Sequence, residues 1–469
     1  MTGARPHVLI AGGGVAALET LLALRALLDG QIGVTLLTPD REFLYRPVTV
    51  AEAFERGEAR TFPLEAIADD QGAQLVCDSL ELVDLDRPGV LTGSGEWLEF
   101  DHLVVATGAR ARDPLPGALT FRGRKDVPAL RDLLAELVSG EARSVALALP
   151  SQRMWPMPVY ELALMTAAHL REHGAARVPV YLVTPEEQPL ELFGPTATHA
   201  VTELLASRGV RVRTSALPAL VRPRALVLAG AGSVFVDRVI TLPLPEGPAI
   251  PGLPHDEHGF IPVDRFGTVA GVAGAYAAGD VTAFPLKQGG LAAQQADAVA
   301  ESIAAQVGAG VVPQPFRPVL RGLLMTGGAP LYLRAEPHRL RHEATVAIEA
   351  QSWRAQKRDV SAAAGQPLWW PPAKIAGRYL APYLATARPQ PLTSGQLADR
   401  FPVLGPEVSE AEQADALELA LMLAGLDARW GDYRSALEAL DAAEALQGAL
   451  PPEYEAKRRE WRAAEMIDG

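Results

Sequence analysis

Residues 7–17 have the sequence HVLIAGGGVAA, in which a short apolar run ends at three glycines. The apolar run predicts a buried β-strand over residues 7–11, and the apolar sequence of residues 15–28 predicts a helix. A second apolar run, VTLL at residues 34–37, predicts another strand. Residues 7–40 are therefore expected to form a β-α-β unit.

The glycines between the first strand and the helix are spaced for a bound pyrophosphate. Gly12 permits the tight turn, and Gly14 lets the backbone approach the phosphates. Ala17 replaces the usual third glycine and is small enough for close packing of helix on strand. The amides of Val15 and Ala16 lie at the positive end of the helix, where a phosphate is favoured. This pattern predicts a dinucleotide site.

Two later apolar runs end in similar turns. Ala106, Thr107 and Gly108 follow the first, and Gly279 and Asp280 follow the second. Because each of the three turns follows an apolar run typical of a buried strand, together they predict a single site for one long dinucleotide, FAD. The Asp280 carboxylate is expected to accept hydrogen bonds from the ribityl chain; the alternative is a helix cap.

The end of the second strand departs from the usual pattern. An acidic residue is expected there to bind the adenosine ribose, but Thr38 occupies the place and Asp40 lies two residues later. Thr38 and Asp40 are both candidate ribose ligands, and the alternative for Asp40 is a solvated turn.

Composition limits the class of protein. The chain has 469 residues, too many for one hydrophobic core, and a formal net charge of −13, which argues against a nucleic-acid partner. The single cysteine, Cys77, excludes a disulfide framework, an internal redox pair and a multi-cysteine zinc site, and no metal site is predicted. We expect Cys77 to be buried in a strand. Such cysteine usage suits a reducing cytoplasm, the predicted location.

The predicted fold class is α/β, with two Rossmann-like (FAD/NAD(P)-binding) domains, the second inserted in the first, plus an irregular C-terminal lobe and an α-helical tail. The predicted boundaries are residues 1–140 and 250–310 for the FAD-binding domain, 141–249 for a degenerate NAD(P)-binding-like domain, 311–400 for the lobe and 401–469 for the tail.

The three turns together resemble the pyridine nucleotide-disulfide oxidoreductase superfamily of flavoproteins. The nearest branch contains the sulfide:quinone oxidoreductases, the flavin subunit of flavocytochrome c sulfide dehydrogenase and the type II NADH dehydrogenases. By this resemblance, the loop FLYRP at residues 43–47, with Arg46 and Pro47, passes beside the isoalloxazine. The backbone near Leu80 contacts the adenine.

The same resemblance assigns the start of the last long helix to the flavin pyrimidine. Lys287, Gln288 and Gly289 lie in the sequence KQGG, and the helix they open would favour negative charge on the reduced flavin.

The chain differs from this branch where sulfide oxidation uses cysteines beside the flavin. The matching residues 152–161 are QRMWPMPVYE and contain no thiol. Trp155 is expected near the reacting face of the flavin, and Glu161 is a candidate proton donor or an ordinary helix residue. Together with Lys287, these are the candidate catalytic residues.

The inserted domain also lacks a glycine fingerprint. The strand at residues 145–149 is followed by PSQ, so NAD(P)H binding is left open and is not favoured. Glu186 and Glu187 follow the next strand, either as ribose ligands or, the favoured alternative, as a solvated acidic turn.

The C-terminal third has two features. Residues 369–374 and 379–384 are aromatic and partly basic, and they either line a quinone or membrane-facing mouth or form core packing. Residues 428–443 resemble one tetratricopeptide unit, which cannot bury its own face and should dock on the protein's own body or on a partner protein.

The leading functional prediction is an FAD-dependent oxidoreductase. A small-molecule donor reduces the flavin, and a quinone or other acceptor reoxidises it, without a cysteine redox pair. The alternative is a non-catalytic or sensory flavin-binding protein whose helical tail docks a partner. Peripheral contact with a membrane stays open in both cases.

Overall fold

The computed structural model describes residues 5–335 except 29, 153 and 231, then residues 374, 377–385, 428, 437, 440, 444 and 450–468. Predictions about residues 369–373 and most of the tetratricopeptide-like segment lie outside these described residues.

A five-stranded parallel sheet carries the first β-α-β unit. Its strands are β1 (His7–Ala11), β2 (Gly33–Leu37), β5 (Gln74–Val76), β9 (His102–Val105) and β20 (Ala275–Ala277). They are arranged in the order β20-β9-β1-β2-β5, so the N-terminal strand is central. Val8, Leu9 and Ile10 are fully buried, as a central strand covered on both faces requires.

Two long helices pack together on this sheet. They are α1 (Val15–Leu28) and α7 (Gly289–Gln306). Their apolar side chains share one core with Val8, Ile10 and Leu36 of the sheet. The predicted first strand and helix therefore have the bounds expected from the sequence, because both are determined by local patterns of apolar residues and glycines.

A second five-stranded parallel sheet follows in the chain. Its strands are β11 (Leu119–Thr120), β12 (Val145–Ala148), β13 (Val180–Val183), β14 (Val210–Arg213) and β18 (Arg238–Thr241). They are arranged in the order β11-β18-β12-β13-β14. Helices α4 (Val127–Ser139), α5 (Met157–Glu172) and α6 (Pro195–Ser207) accompany it. The predicted boundary at residues 140/141 stays a prediction, although by sheet membership the second unit reaches back to Leu119.

Short antiparallel pairs and sheets complete the body. The remaining strands are β3 (Glu42–Leu44), β4 (Thr61–Pro63), β6 (Leu80–Asp84), β7 (Gly89–Thr92), β8 (Trp97–Glu99), β10 (Arg110–Arg112), β15 (Pro218–Arg222), β16 (Ala225–Leu228), β17 (Ser233–Phe235), β19 (Leu244–Glu246), β21 (Leu320–Leu324) and β22 (Leu331–Ala335). The remaining short helices of this part are α2 (Thr49–Glu52) and α3 (Leu64–Asp70). Strand β10 pairs with β19 where the chain passes into and out of the second unit.

The described parts of the C-terminal third pack on this body. The short helix Leu380–Ala385 buries Tyr379, Leu380, Tyr383 and Leu384 in the core of α1 and α7. This is the core packing that the sequence left as one of two alternatives for residues 379–384. The C-terminal helix covers Pro452–Asp468, and its Trp461 belongs to the apolar cluster of the second unit, as do Leu437, Leu440 and Leu450.

No helix within the described ranges combines the length and apolarity needed to cross a bilayer.

Candidate functional site

The three glycine-containing turns meet at the carboxyl edge of the first sheet. The Gly12 amide donates to the Leu37 carbonyl (2.8 Å), which ties the first turn to the end of β2. The Ala106 amide donates to the Ala11 carbonyl (2.7 Å), and the Ala278 amide donates to Val105 (3.0 Å). Each turn is thus bonded to its neighbour, and one edge holds all three.

The first turn crosses the second in a way that only glycine permits. Gly12 has φ +138°, and a Cβ built there would lie 2.2 Å from the Ala106 carbonyl oxygen. Gly14 has no atom within 4 Å of its Cβ position, so its backbone faces open space at the start of α1. The helix N-terminus is therefore accessible to an anionic group.

The third turn presents a carboxylate with unused hydrogen-bonding capacity. Burial raises the pKa of Asp280, and the charges of Lys287 and Arg46 oppose this rise. No residue that the structure describes donates a hydrogen bond to this carboxylate. The turn is held by the Gly279 amide, which donates to Gln295 Oε1 at 2.7 Å. Asp280 is therefore an acceptor that lacks a donor within the described part of the protein.

Lys287 holds the segment between this turn and α7. Its ammonium group donates to the carbonyls of Thr282 and Phe284, the latter at 2.8 Å, and lies 3.8 Å from the centre of the Phe260 ring. Burial lowers the pKa of Lys287 to about 8. With its donors directed at backbone carbonyls, Lys287 shapes the loop and supplies positive charge near Asp280.

Gln288 begins α7 as its N-cap. Its side-chain oxygen accepts from the Leu291 amide (3.0 Å), and its side-chain nitrogen donates to the Arg321 carbonyl (2.7 Å). Gly289 is the first helical residue. The predicted segment is thus a capped helix start, joined to strand β21.

The candidate ribose ligands lie at the end of β2. Thr38 is buried; its amide donates to the Val76 carbonyl (3.0 Å), and its hydroxyl accepts from the Asp40 amide (3.3 Å). Asp40 is exposed, and Leu80 begins strand β6. The fold places both candidates beside the glycine turn, because a Cβ on Gly13 would lie 2.8 Å from the Thr38 hydroxyl.

The loop at residues 43–47 is anchored by aromatic side chains. Phe43 and Tyr45 are buried with their rings edge to face, 6.4 Å apart, and Arg46 is exposed. The Pro47 carbonyl accepts a hydrogen bond from Lys374 (3.1 Å), and Lys374 forms an ion pair with Glu161 (2.5 Å).

Glu161 is therefore neither a free acid nor an ordinary helix residue. Glu161 is fully buried, and it also accepts a hydrogen bond from the Met325 amide (2.8 Å). Burial raises the pKa of Glu161, and the positive charge of Lys374 opposes this rise. Sequence reasoning missed Lys374. The signal was an acid within the apolar stretch of helix α5, which favours a buried cation as partner but does not indicate which one.

Trp155 lies at the start of the second unit's main helix, half-buried against Phe193. The two rings meet edge to face, with centroids 5.8 Å apart and planes at 67°. The indole packs on the core of this unit, and its relation to a flavin stays a prediction.

The acidic pair after β13 differs from the favoured expectation. Glu186 is buried rather than solvated; it accepts from the Tyr160 hydroxyl (2.6 Å) and the Thr184 hydroxyl (2.7 Å), and only Glu187 is exposed. Burial raises the pKa of Glu186 to about 7.

The prediction for Cys77 is wrong. The thiol is exposed, one residue beyond β5, because the strand ends at Val76 and the chain turns outward there.

The sequence model of the pyridine nucleotide-disulphide oxidoreductases matches residues 6–146 and 161–301. The chain belongs to this family. The matched residues contain all three turns and both parallel sheets except the last two residues of β12, Leu147 and Ala148, so the family match and the fold describe the same body.

Similar proteins include a sulfide-quinone reductase from Aquifex aeolicus, 27% identical over 187 residues, 38% of this chain and 43% of that protein. A demethylphylloquinone reductase from Synechocystis is 30% identical over 193 residues, 38% of this chain and 47% of that protein. The chain thus spans less than half the length of these relatives. The crystal structure of the Aquifex aeolicus sulfide:quinone oxidoreductase superposes with a TM-score of 0.68 at 20% identity, over 76% of this chain and 90% of that one, which shows the shared fold.

FAD is the cofactor of the family, and the edge described above fits it. Gly14 leaves the start of α1 open for phosphate, and Asp280 offers a half-buried acceptor to which none of the described residues donates. In the second unit, the Tyr160 and Thr184 hydroxyls both donate to Oε2 of Glu186, and its Oε1 is buried without a hydrogen-bond partner among the described residues.

Proposed function

We propose that the chain is an FAD-dependent oxidoreductase that passes electrons through its flavin to a quinone or another acceptor, without a cysteine redox pair. The observation that carries this proposal is the convergence of three turns at one sheet edge, where no described residue donates a hydrogen bond to Asp280. The quinone is proposed because the relatives named above include a sulfide-quinone reductase and a demethylphylloquinone reductase.

Bound FAD would supply electron-transfer chemistry in one- and two-electron steps. The protein's part would be to hold and tune it. Gly12, Gly14, Val15 and Ala16 would bind the pyrophosphate, and Asp280 would accept from the ribityl hydroxyls.

The loops around the ring would set its electrostatics. The N-terminus of α7, at Gln288 and Gly289, carries the positive end of a helix dipole and would favour negative charge on a reduced ring. Arg46 and Lys287 add positive charge near the same site. Leu80, Thr38 and Asp40 would contact the adenosine end, and Ala106, Thr107 and Gly108 would let the backbone pass close to the cofactor.

The electron donor is proposed to be a small molecule that reduces the flavin directly. The single exposed Cys77 follows β5 and lies outside the 152–161 segment, so it does not replace the thiols of the sulfide-oxidising branch. Binding of NAD(P)H to the second unit is the less favoured route because the strand at residues 145–149 is followed by PSQ rather than by a glycine fingerprint.

The test uses the purified full chain. It is expected to contain FAD, and after anaerobic reduction by dithionite its flavin absorbance should return within seconds of adding a soluble quinone. NADH, NADPH and sulfide are then screened as donors by loss of visible absorbance. Protein that stays colourless after incubation with FAD would contradict the proposal. So would protein whose bound, reduced flavin is reoxidised by no quinone faster than free reduced FAD is.

The tail is proposed to dock on the protein's own second unit. Leu437, Leu440 and Trp461 belong to the same apolar cluster as the core of that unit, which supports self-docking over a separate partner.

A cytoplasmic location also remains a proposal. If no donor or acceptor is found and a stable partner protein copurifies, the alternative of a sensory flavin protein takes its place.

A further inference from the structure

A buried ion pair joins distant parts of the chain beside the loop at residues 43–47. The Glu161 side chain is 1% exposed and that of Lys374 is 8% exposed. Glu161 also accepts from the Met325 amide, and Lys374 also donates to the Pro47 carbonyl. The pair therefore holds the second unit, the segment after β21 and the C-terminal segment to residue 47.

The residue next to Pro47 influences the cofactor site. The positive charge of Arg46 lowers the pKa of Asp280, so the two side chains lie within electrostatic range. The Arg46 carbonyl accepts from the Thr49 hydroxyl at 2.7 Å. A displacement of Pro47 would move Arg46 relative to Asp280, because the two loop residues share a peptide bond.

Stability alone is a poor explanation of this arrangement. A buried ion pair is often no better than apolar residues of similar volume, because the desolvation of both charges offsets their attraction. Here the ammonium group also binds a backbone carbonyl of the loop. That third contact fixes the position of the loop, which an apolar pair would not do.

We propose that Lys374 is a positioning residue whose ammonium group, held by Glu161, fixes the Pro47 carbonyl and thereby sets the loop at residues 43–47 against the bound flavin. This rests on the proposed function only in requiring FAD beside the loop.

The test replaces the pair by apolar residues, in the double variant Glu161→Leu/Lys374→Met. It should fold, since such replacements are commonly neutral. Loss of the charged hydrogen bond to Pro47 is expected to weaken FAD binding by about tenfold or more. The visible circular dichroism of the bound flavin should also change. FAD affinity is measured by fluorescence titration of the apoprotein, and folding by thermal melting.

The control removes another ion pair between elements. Glu136→Leu/Arg238→Met breaks the 2.6 Å pair that joins α4 to β18, and it should change neither FAD affinity nor the flavin spectrum. Lys374→Arg keeps a cation and should restore most of the affinity.

A folded double variant with wild-type affinity and flavin spectrum overturns the proposal. If the double variant does not fold, Glu161→Gln/Lys374→Met decides, because the glutamine side chain keeps an acceptor for the Met325 amide while the ammonium group is removed. A shifted flavin spectrum at an unchanged melting temperature supports positioning, and an unaltered spectrum overturns it. Wild-type protein that binds no FAD contradicts the proposed function instead, so the two failures are distinguishable.

Discussion

At the scale of single residues, the proposed cofactor site depends on the hydrogen-bond acceptors and the space that its residues leave for a ligand. Asp280 is half-buried, lies near the charges of Lys287 and Arg46, and accepts no hydrogen bond from the described residues. Gly12 has no room for a side chain, whereas Gly14 has open space. These differences lead to two predictions.

Replacing Asp280 by alanine removes the acceptor proposed for the ribityl hydroxyls. Hydrogen bonds to charged groups contribute about 1.5–3 kcal/mol, so FAD affinity should fall by about 10- to 100-fold. Equilibrium titration of apoprotein with FAD measures this. Asp86→Ala, at an exposed acid in the β6–β7 turn, is the control and should bind as wild type. Equal affinities for the two variants would remove Asp280 from the site.

Replacing Gly12 by alanine puts a Cβ 2.2 Å from the Ala106 carbonyl oxygen, at a φ that side chains rarely adopt. The turn must shift, and the protein should lose bound FAD and melt at a lower temperature. A Cβ added at Gly14 has no atom of the described residues within 4 Å, so the Gly14→Ala protein should melt as wild type. Its affinity for FAD should fall only if a phosphate of the cofactor lies beside Gly14. A Gly12→Ala protein with full flavin content would contradict this account.

At the scale of elements, the short helix Leu380–Ala385 depends on a side chain 360 residues earlier. The Glu19 carboxylate accepts from the amides of Tyr379 (2.8 Å) and Leu380 (2.7 Å), where the helix begins. Glu19 lies in α1, so the cap joins the C-terminal segment to the helix that is proposed to bind pyrophosphate.

Glu19→Ala leaves these two buried amides without an acceptor. The cost of an unsatisfied buried group is about 1–3 kcal/mol, so the segment should detach more readily. Limited proteolysis is expected to cut near residues 377–385 several-fold faster. Glu65→Ala, at an exposed acid in the first turn of α3, should be cut at the wild-type rate. Unchanged cutting of Glu19→Ala would show that the cap does not hold the segment.

At the scale of the whole molecule, buried acids make stability depend on pH. Burial raises the pKa of Glu186 from 4.5 to about 7, and that of Glu19 also to about 7. A carboxyl with a raised folded-state pKa holds its proton longer when folded than when unfolded. The contribution of these two groups to the free energy of unfolding then falls as pH rises from about 4.5 to 7.

Glu186→Gln removes one of these titrating groups and retains an acceptor for Tyr160 and Thr184. Its unfolding free energy should decline less steeply between pH 5 and 7, by an amount on the order of 3 kcal/mol over the full interval. Urea denaturation at several pH values measures the slope. Glu187→Gln, at the exposed neighbour, should keep the wild-type slope. A Glu186→Gln slope equal to wild type would place the titration elsewhere.

The elements closest to the cofactor edge could be predicted from the sequence. Strand β1, helix α1 and the glycine turn between them follow from a few consecutive residues, whose apolarity and backbone freedom act locally. The Asp280 turn was equally predictable, because it also follows a buried apolar run. Cys77 and Glu186 were misplaced because exposure depends on where a strand ends and what packs beside it.

The sequence by itself determined that the chain is an α/β protein with a dinucleotide site at one sheet edge, since local patterns specify strands, helices and glycine turns. Only the tertiary structure decided which charges meet. Glu161 and Lys374 are 213 residues apart, and Glu19 and Tyr379 are 360 apart. No short-range pattern records such a pairing, because burial and opposite charge become partners only when packing brings the two segments together.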